Sequence, residues 1–140
     1  MKIRKGFVSN SSSSSFVIHK GFLSEEQVLK IFDYESIVDK YLKLYPVPEQ
    51  GYYDDPPEFD FSYSDNTWML KDYDNLVFGT TSMDNFSFSN FLKFVGVKDK
   101  NICWDDGWND GPSREQDDFI ISETKRLRKM KLENIDDGDI

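Results

Sequence analysis

Cysteine and histidine each occur once in the 140 residues, as Cys103 and His19. A lone cysteine excludes an intramolecular disulfide and any zinc cage built from several thiolates at short spacing, and it agrees with a reducing compartment. A lone histidine leaves His19 as the one obvious imidazole base for a serine nucleophile. Long apolar runs are missing as well: none approaches the roughly 18 consecutive residues of a membrane helix. The apolar run after Lys2, Arg4 and Lys5 stops at Val8, too short for the hydrophobic core of a signal peptide. The expectation is a soluble chain with no membrane partner.

Positive charge is scarce: 17 Lys and Arg stand against 26 Asp and Glu, for a net charge of −9 and a pI near 4.5. Such a surface repels nucleic-acid phosphates and is drawn to basic partners, so nucleic acid is not the expected ligand. Hydrophobic residues make up only 38%, yet aromatics reach 16%, with 12 Phe, 7 Tyr and 3 Trp. That is the reverse of a disordered composition and predicts an aromatic-rich core. The length suits one domain, read here as residues 1–134, with the acidic tail 135–140 fraying.

The chain opens MKIRKGFVSNSSSSSFVI. Two strand-like pieces, Ile3 to Val8 and Phe16 to His19, flank Ser9, Asn10, Ser11, Ser12, Ser13, Ser14 and Ser15, which reads as a polar loop between strands. This opening resembles one that recurs at the start of small proteins of tailed bacteriophages, of the form M-K-x-R-x-G-F-V-S-N-S-S-S-S-S-F followed by an aliphatic pair. Met1, Lys2, Arg4 and Gly6 through Phe16 fit it, and Val17 and Ile18 supply the pair. A second resemblance to such proteins runs from Ser82-Met83-Asp84-Asn85-Phe86 to Phe91-Leu92 and Gly96-Val97. What the resemblance implies is a source, a phage-encoded protein, rather than a chemistry.

Further along, Ser24 and Gln27 form a capping-box pattern, with Leu23 able to staple onto Val28. Apolar residues at Val28, Ile31, Phe32, Val38, Tyr41, Leu42 and Tyr45 predict one amphipathic helix over Ser24 to Tyr45, ended by Pro46. Pro46, Pro48, Pro56 and Pro57 then mark an extended loop to about Ser64, with Phe59, Phe61 and Tyr63 alternating as in a short strand. The rings of Tyr52, Tyr53, Phe59, Phe61 and Tyr63 either tuck into the core or face a partner. Thr67 to Lys71 and Asn75 to Thr81 read as a hairpin. A second helix opens at Asp84 or Ser87, with Phe88, Phe91, Leu92 and Val95 on its apolar face and Gly96 as its left-handed cap. Asn101 to Trp104 reads as a strand, and Asp105 to Pro112 as a turn. Ser113 and Gln116 repeat the capping box before Phe119, Ile120, Ile121, Leu127, Met130 and Leu132, with acids early and bases late, as a helix macrodipole favours; Phe119 to Ser122 alternatively begins as a strand.

Together these elements predict an α+β domain, a mostly antiparallel sheet packed by two or three helices. No cofactor and no metal is implied. A Walker-type loop needs two glycines and a lysine around the phosphates, and the serine run has only Gly6 and no lysine inside it. Against an EF-hand template with Gly111 as its glycine, Asp106 and Asp110 fall at ligand places. Trp108 occupies the third position and Asp117 replaces the closing glutamate, so the template fails. The basic run Lys125 to Lys131 contains Leu127 and Met130 at helical spacing and reads as the solvated side of a helix end.

With no catalytic signature, the expectation is a non-enzymatic accessory protein that binds a host or phage protein in the host cytoplasm or the virion. Candidate contact residues are Ser9 to Ser15 with Asn10, and Trp104 and Trp108 in the acidic turn. Two alternatives stay open: a ligand-binding domain or enzyme that uses the serine loop as an anion cradle, and an acidic DNA mimic built from Asp54-Asp55, Asp105-Asp106, Asp117-Asp118 and Asp136-Asp137.

Overall fold

The computed structural model describes residues 13–45, 68–82, 88–106 and 110–133. In chain order these form β1 (Ser14–His19), a 3-10 turn (Lys20–Phe22), α1 (Glu25–Phe32), α2 (Tyr34–Leu44), β2 (Met69–Asp72), β3 (Leu76–Thr81), α3 (Phe88–Phe94), a 3-10 turn (Asp99–Asn101), β4 (Ile102–Asp106) and α4 (Arg114–Glu133). The four strands make one antiparallel sheet in the order β2-β3-β1-β4. This is the α+β class read from the sequence, with four helices where two or three were expected. Outside the described residues lie the strand expected at Ile3 to Val8, the proline-rich loop, the start of the second helix, Trp108 and the tail.

β1 is the axis. All six of its residues are buried, and it pairs on one side with β3, Phe16 opposite Gly79, and on the other with β4, Phe16 opposite Trp104. Because successive side chains alternate across a strand, β1 serves two cores. Phe16 and Ile18 join Val77, Ile102 and residues of α1, α2 and α3 on one face. Val17 joins Leu76, Phe78 and Ile120 of α4 on the other. The first core is aromatic, as composition predicted: Phe16 lies 5.2 Å from Phe88 and 5.7 Å from Trp68 between ring centroids, and Tyr34 lies 4.9 Å from Phe88. Gly79 has a steric reason, since a Cβ there would overlap the Phe16 ring.

Two expectations are corrected. Ser14 and Ser15 are not part of a loop; they are buried strand residues paired with Thr81 and Thr80. A short hydroxyl fits a strand interior when its backbone is paired and its side chain finds a partner, and Ser15 finds Gln116. The single helix over Ser24 to Tyr45 is broken at Asp33, which takes φ −105° and ψ 26°, in the bridge region. Aspartate is a poor interior helix former because its side chain competes for backbone groups. After the break Tyr34, not foreseen as core, is buried, whereas Phe32 and Tyr45 are left exposed.

Other local readings hold. The hairpin forms as β2 and β3. α3 ends in a Schellman arrangement: Gly96 has φ +90°, its N–H donates to the Lys93 carbonyl, and Val97 N–H donates to the Leu92 carbonyl. The last predicted strand forms as β4 but is shifted: Asn101 ends the 3-10 turn, and Asp105 and Asp106, expected in the acidic turn, are strand residues paired with Ser15 and Ser14 because β1 continues beside them. α4 runs unbroken from its capping box, so Phe119 to Ser122 is helix.

Candidate functional site

α4 lies along β1, and polar side chains fasten it there. At helical spacing, Gln116, Ile120, Glu123, Thr124, Leu127 and Met130 share the inward side. Gln116 is fully buried and every polar atom of its side chain is engaged. Its Oε1 accepts the Ser113 N–H at 2.9 Å, closing the capping box with Gln116 N–H on Ser113 Oγ at 3.2 Å. Its amide Nε2 donates to Ser15 Oγ at 3.1 Å and to the Cys103 carbonyl at 3.4 Å. The helix start is thus tied to β1 and β4 together. α1 uses the same device, since its capping-box glutamine, Gln27, donates its amide to the Val95 carbonyl at 3.1 Å.

Four residues further along β1, His19 makes the second tie. Its Nδ1 accepts the Gly21 N–H at 2.9 Å, and its Nε2 lies 3.0 Å from Thr124 Oγ1. The Thr124 hydroxyl donates to the Ile120 carbonyl at 2.9 Å, so His19 Nε2 carries the proton and the ring is neutral. Burial pushes the His19 pKa below its ordinary 6.5; Glu123 pulls it upward and Lys131 adds to the lowering. Next to it, Arg126 grips the buried Glu123 with two bonds, 2.8 and 3.1 Å, donates to Asn101 Oδ1 at 2.6 Å and stacks over Phe22 at 4.0 Å. Gly21 is held by this packing, because a Cβ would collide with Leu127.

Both ring nitrogens of His19 are therefore committed to structure. Ser15 and His19 share a face of β1 four residues apart, about 13 Å along the strand, so they form no nucleophile–base pair. The other sequence candidates scatter. Ser9, Asn10, Ser11, Ser12 and Trp108 lie outside the described residues, and Ser13 is half-buried just before β1. Trp104 is half-buried, with its ring 5.3 Å from Phe16 and 6.3 Å from Trp68, so it closes the rim of the first core. Ser14 and Ser15, extended and buried, do not curve around an anion. Among the described residues no three His, Cys, Asp or Glu side chains group to hold a metal ion, and no helix is long and apolar enough to cross a membrane. Of the acidic pairs, Asp54-Asp55 and Asp136-Asp137 lie outside the described residues. Burial, with Glu115 and Asp105 nearby, pushes the Cys103 thiol up to about 11.

Exposed large apolar side chains occur on several elements, Leu44, Met69, Ile121 and Leu132 among them, and two lie together on α1. Leu29 is 71% and Phe32 37% accessible, and beside them a groove of about 380 Å³ is lined by Lys20, Leu23, Glu25, Val28 and Leu29. This site was not singled out in the sequence. The signal was present: Glu25, Val28, Leu29 and Phe32 recur at helical spacing on a side that Ile31 does not share. Against this geometry, neither protein-family models, nor curated proteins, nor solved structures yield a match to the chain.

Proposed function

We propose that this chain is a non-enzymatic accessory protein of a tailed bacteriophage that works by binding another protein, of host or phage origin, in the infected cytoplasm or in the virion. The observation that carries the reading is the pair of exposed apolar side chains on α1, Leu29 and Phe32, beside a mostly apolar groove large enough for a partner's side chain. The phage source rests on the opening word of the sequence. Within that word, Ser14 and Ser15 serve the sheet, which leaves Ser9 to Ser13 as the part offered for recognition.

The test is affinity capture of the tagged chain from phage-infected cells and from disrupted virions, with the wild type beside a variant carrying Ser11→Ala, Ser12→Ala and Ser13→Ala. Ser14 and Ser15 are kept because they are core. A partner held by the wild type and lost by the folded variant makes the serine segment a recognition signal. Equal capture by both removes that role from the serines. Capture of nothing from either source overturns the binding function itself.

A further inference from the structure

We infer that the groove beside α1 receives a cationic amphipathic segment of a partner protein, one aliphatic or aromatic anchor flanked by lysines or arginines; this rests on the protein-binding reading above. Three of the five residues that line the groove, Leu23, Val28 and Leu29, are apolar, and Phe32 extends the strip one turn along α1. Its volume suits one or two large side chains rather than a folded domain.

The charges around it select the occupant. Lys20, the one cation among the lining residues, is ion-paired with Asp72, and Lys30 is paired with Glu26 at 3.1 Å. Glu25 in the groove wall and Asp33 at the break after α1 have no cationic partner among the described residues. An apolar slot with the unpaired Glu25 in its wall, and the unpaired Asp33 beyond it at the end of α1, on a chain of net charge −9, complements a basic segment and repels an acidic one. The same net charge disfavours a second copy of this chain as the occupant.

The test uses the full chain and a short labelled peptide of leucine and lysine with the leucines on one helical face. A second peptide has the same composition with the leucines scattered. The patterned peptide binds saturably and more tightly than the scattered one. Leu29→Asp weakens it by about tenfold, the loss of one buried anchor. Leu29→Gln, which keeps helix propensity, weakens it in the same direction if the aspartate variant fails to fold. Glu25→Lys with Asp33→Lys weakens binding and flattens its salt dependence. Ile121→Asp, on α4 across the sheet, leaves it unchanged.

Equal affinity for the two peptides, indifference to the Leu29 variants, or an equal loss with Ile121→Asp overturns the inference. So does self-association through Leu29 that displaces the peptide. With only purified chain and peptide present, such a failure concerns the groove alone. The wider binding function fails separately, in the capture experiment.

Discussion

Gln116 donates its side-chain amide to Ser15 Oγ across 101 residues of sequence, at 3.1 Å and inside the core. The bond joins a helix start to the last serine of the opening word. It also explains why the capping box carries glutamine, since glutamate would cap as well but has no N–H to give.

Gln116→Glu therefore destabilises the fold while keeping the box. The Ser15 hydroxyl can turn to donate to the new carboxylate, but the Cys103 carbonyl cannot, and a charge is buried beside it. The expected loss is about 2–3 kcal/mol at neutral pH, read as a lower urea midpoint. Ser15→Ala, which strands one amide hydrogen, costs about 1–2 kcal/mol. A combined variant whose loss departs from the sum of the two single losses would show that both substitutions act on one contact, whereas strict additivity would count against it.

His19 is the only imidazole, so its NMR titration is unambiguous. Its folded pKa lies below the ordinary 6.5 because burial disfavours the charged ring. The unfolded chain then binds a proton that the folded chain refuses as pH drops below that value. The contribution is fully present above the ordinary histidine pKa and is lost as pH falls toward the folded one. Below about pH 6.5, and until the lowered folded pKa is reached, stability falls by up to about 1.4 kcal/mol per pH unit from this group, and His19→Gln flattens that slope. A folded pKa at or above 6.5 would refute the neutral tie to Gly21 and Thr124.

Gly79 makes room for Phe16 on the neighbouring strand. Gly79→Ala forces the ring aside at a cost of about 1–3 kcal/mol. Adding Phe16→Leu to that variant costs less than Phe16→Leu costs the wild type, because the crowding is already relieved. Strictly additive denaturation free energies would count against the contact.

The Cys103 thiol, pushed up to about 11 and half-buried, is a poor nucleophile at neutral pH. A disulfide reagent at pH 8 modifies the native chain at least about tenfold more slowly than the urea-unfolded chain. Equal rates would mean the strand does not shield it.

The features legible in the sequence were local. Ser24 with Gln27 and Ser113 with Gln116 announced two helix starts, because a capping box is closed within four residues and needs nothing distant. Gly96 announced a helix end, because only glycine takes a positive φ cheaply. The hairpin of β2 and β3 followed from adjacent strand formers, and the aromatic core from composition.

What tertiary structure decided depends on which neighbour a residue meets. Ser14 and Ser15 looked like loop residues because a hydroxyl's preference reverses once a partner such as Gln116 is brought to it from the far end of the chain. Asp33 broke a helix that periodicity ran through, and Phe32 went outside while Tyr34 went in. On α4, Gln116 and Glu123 are buried whereas Ile121 and Leu132 are exposed. The sheet selects one side of the helix and takes whatever lies there, provided each polar group finds its bond. The groove beside α1 likewise exists only because the turn at Lys20 to Phe22, held by His19, sets Lys20 and Leu23 against that helix.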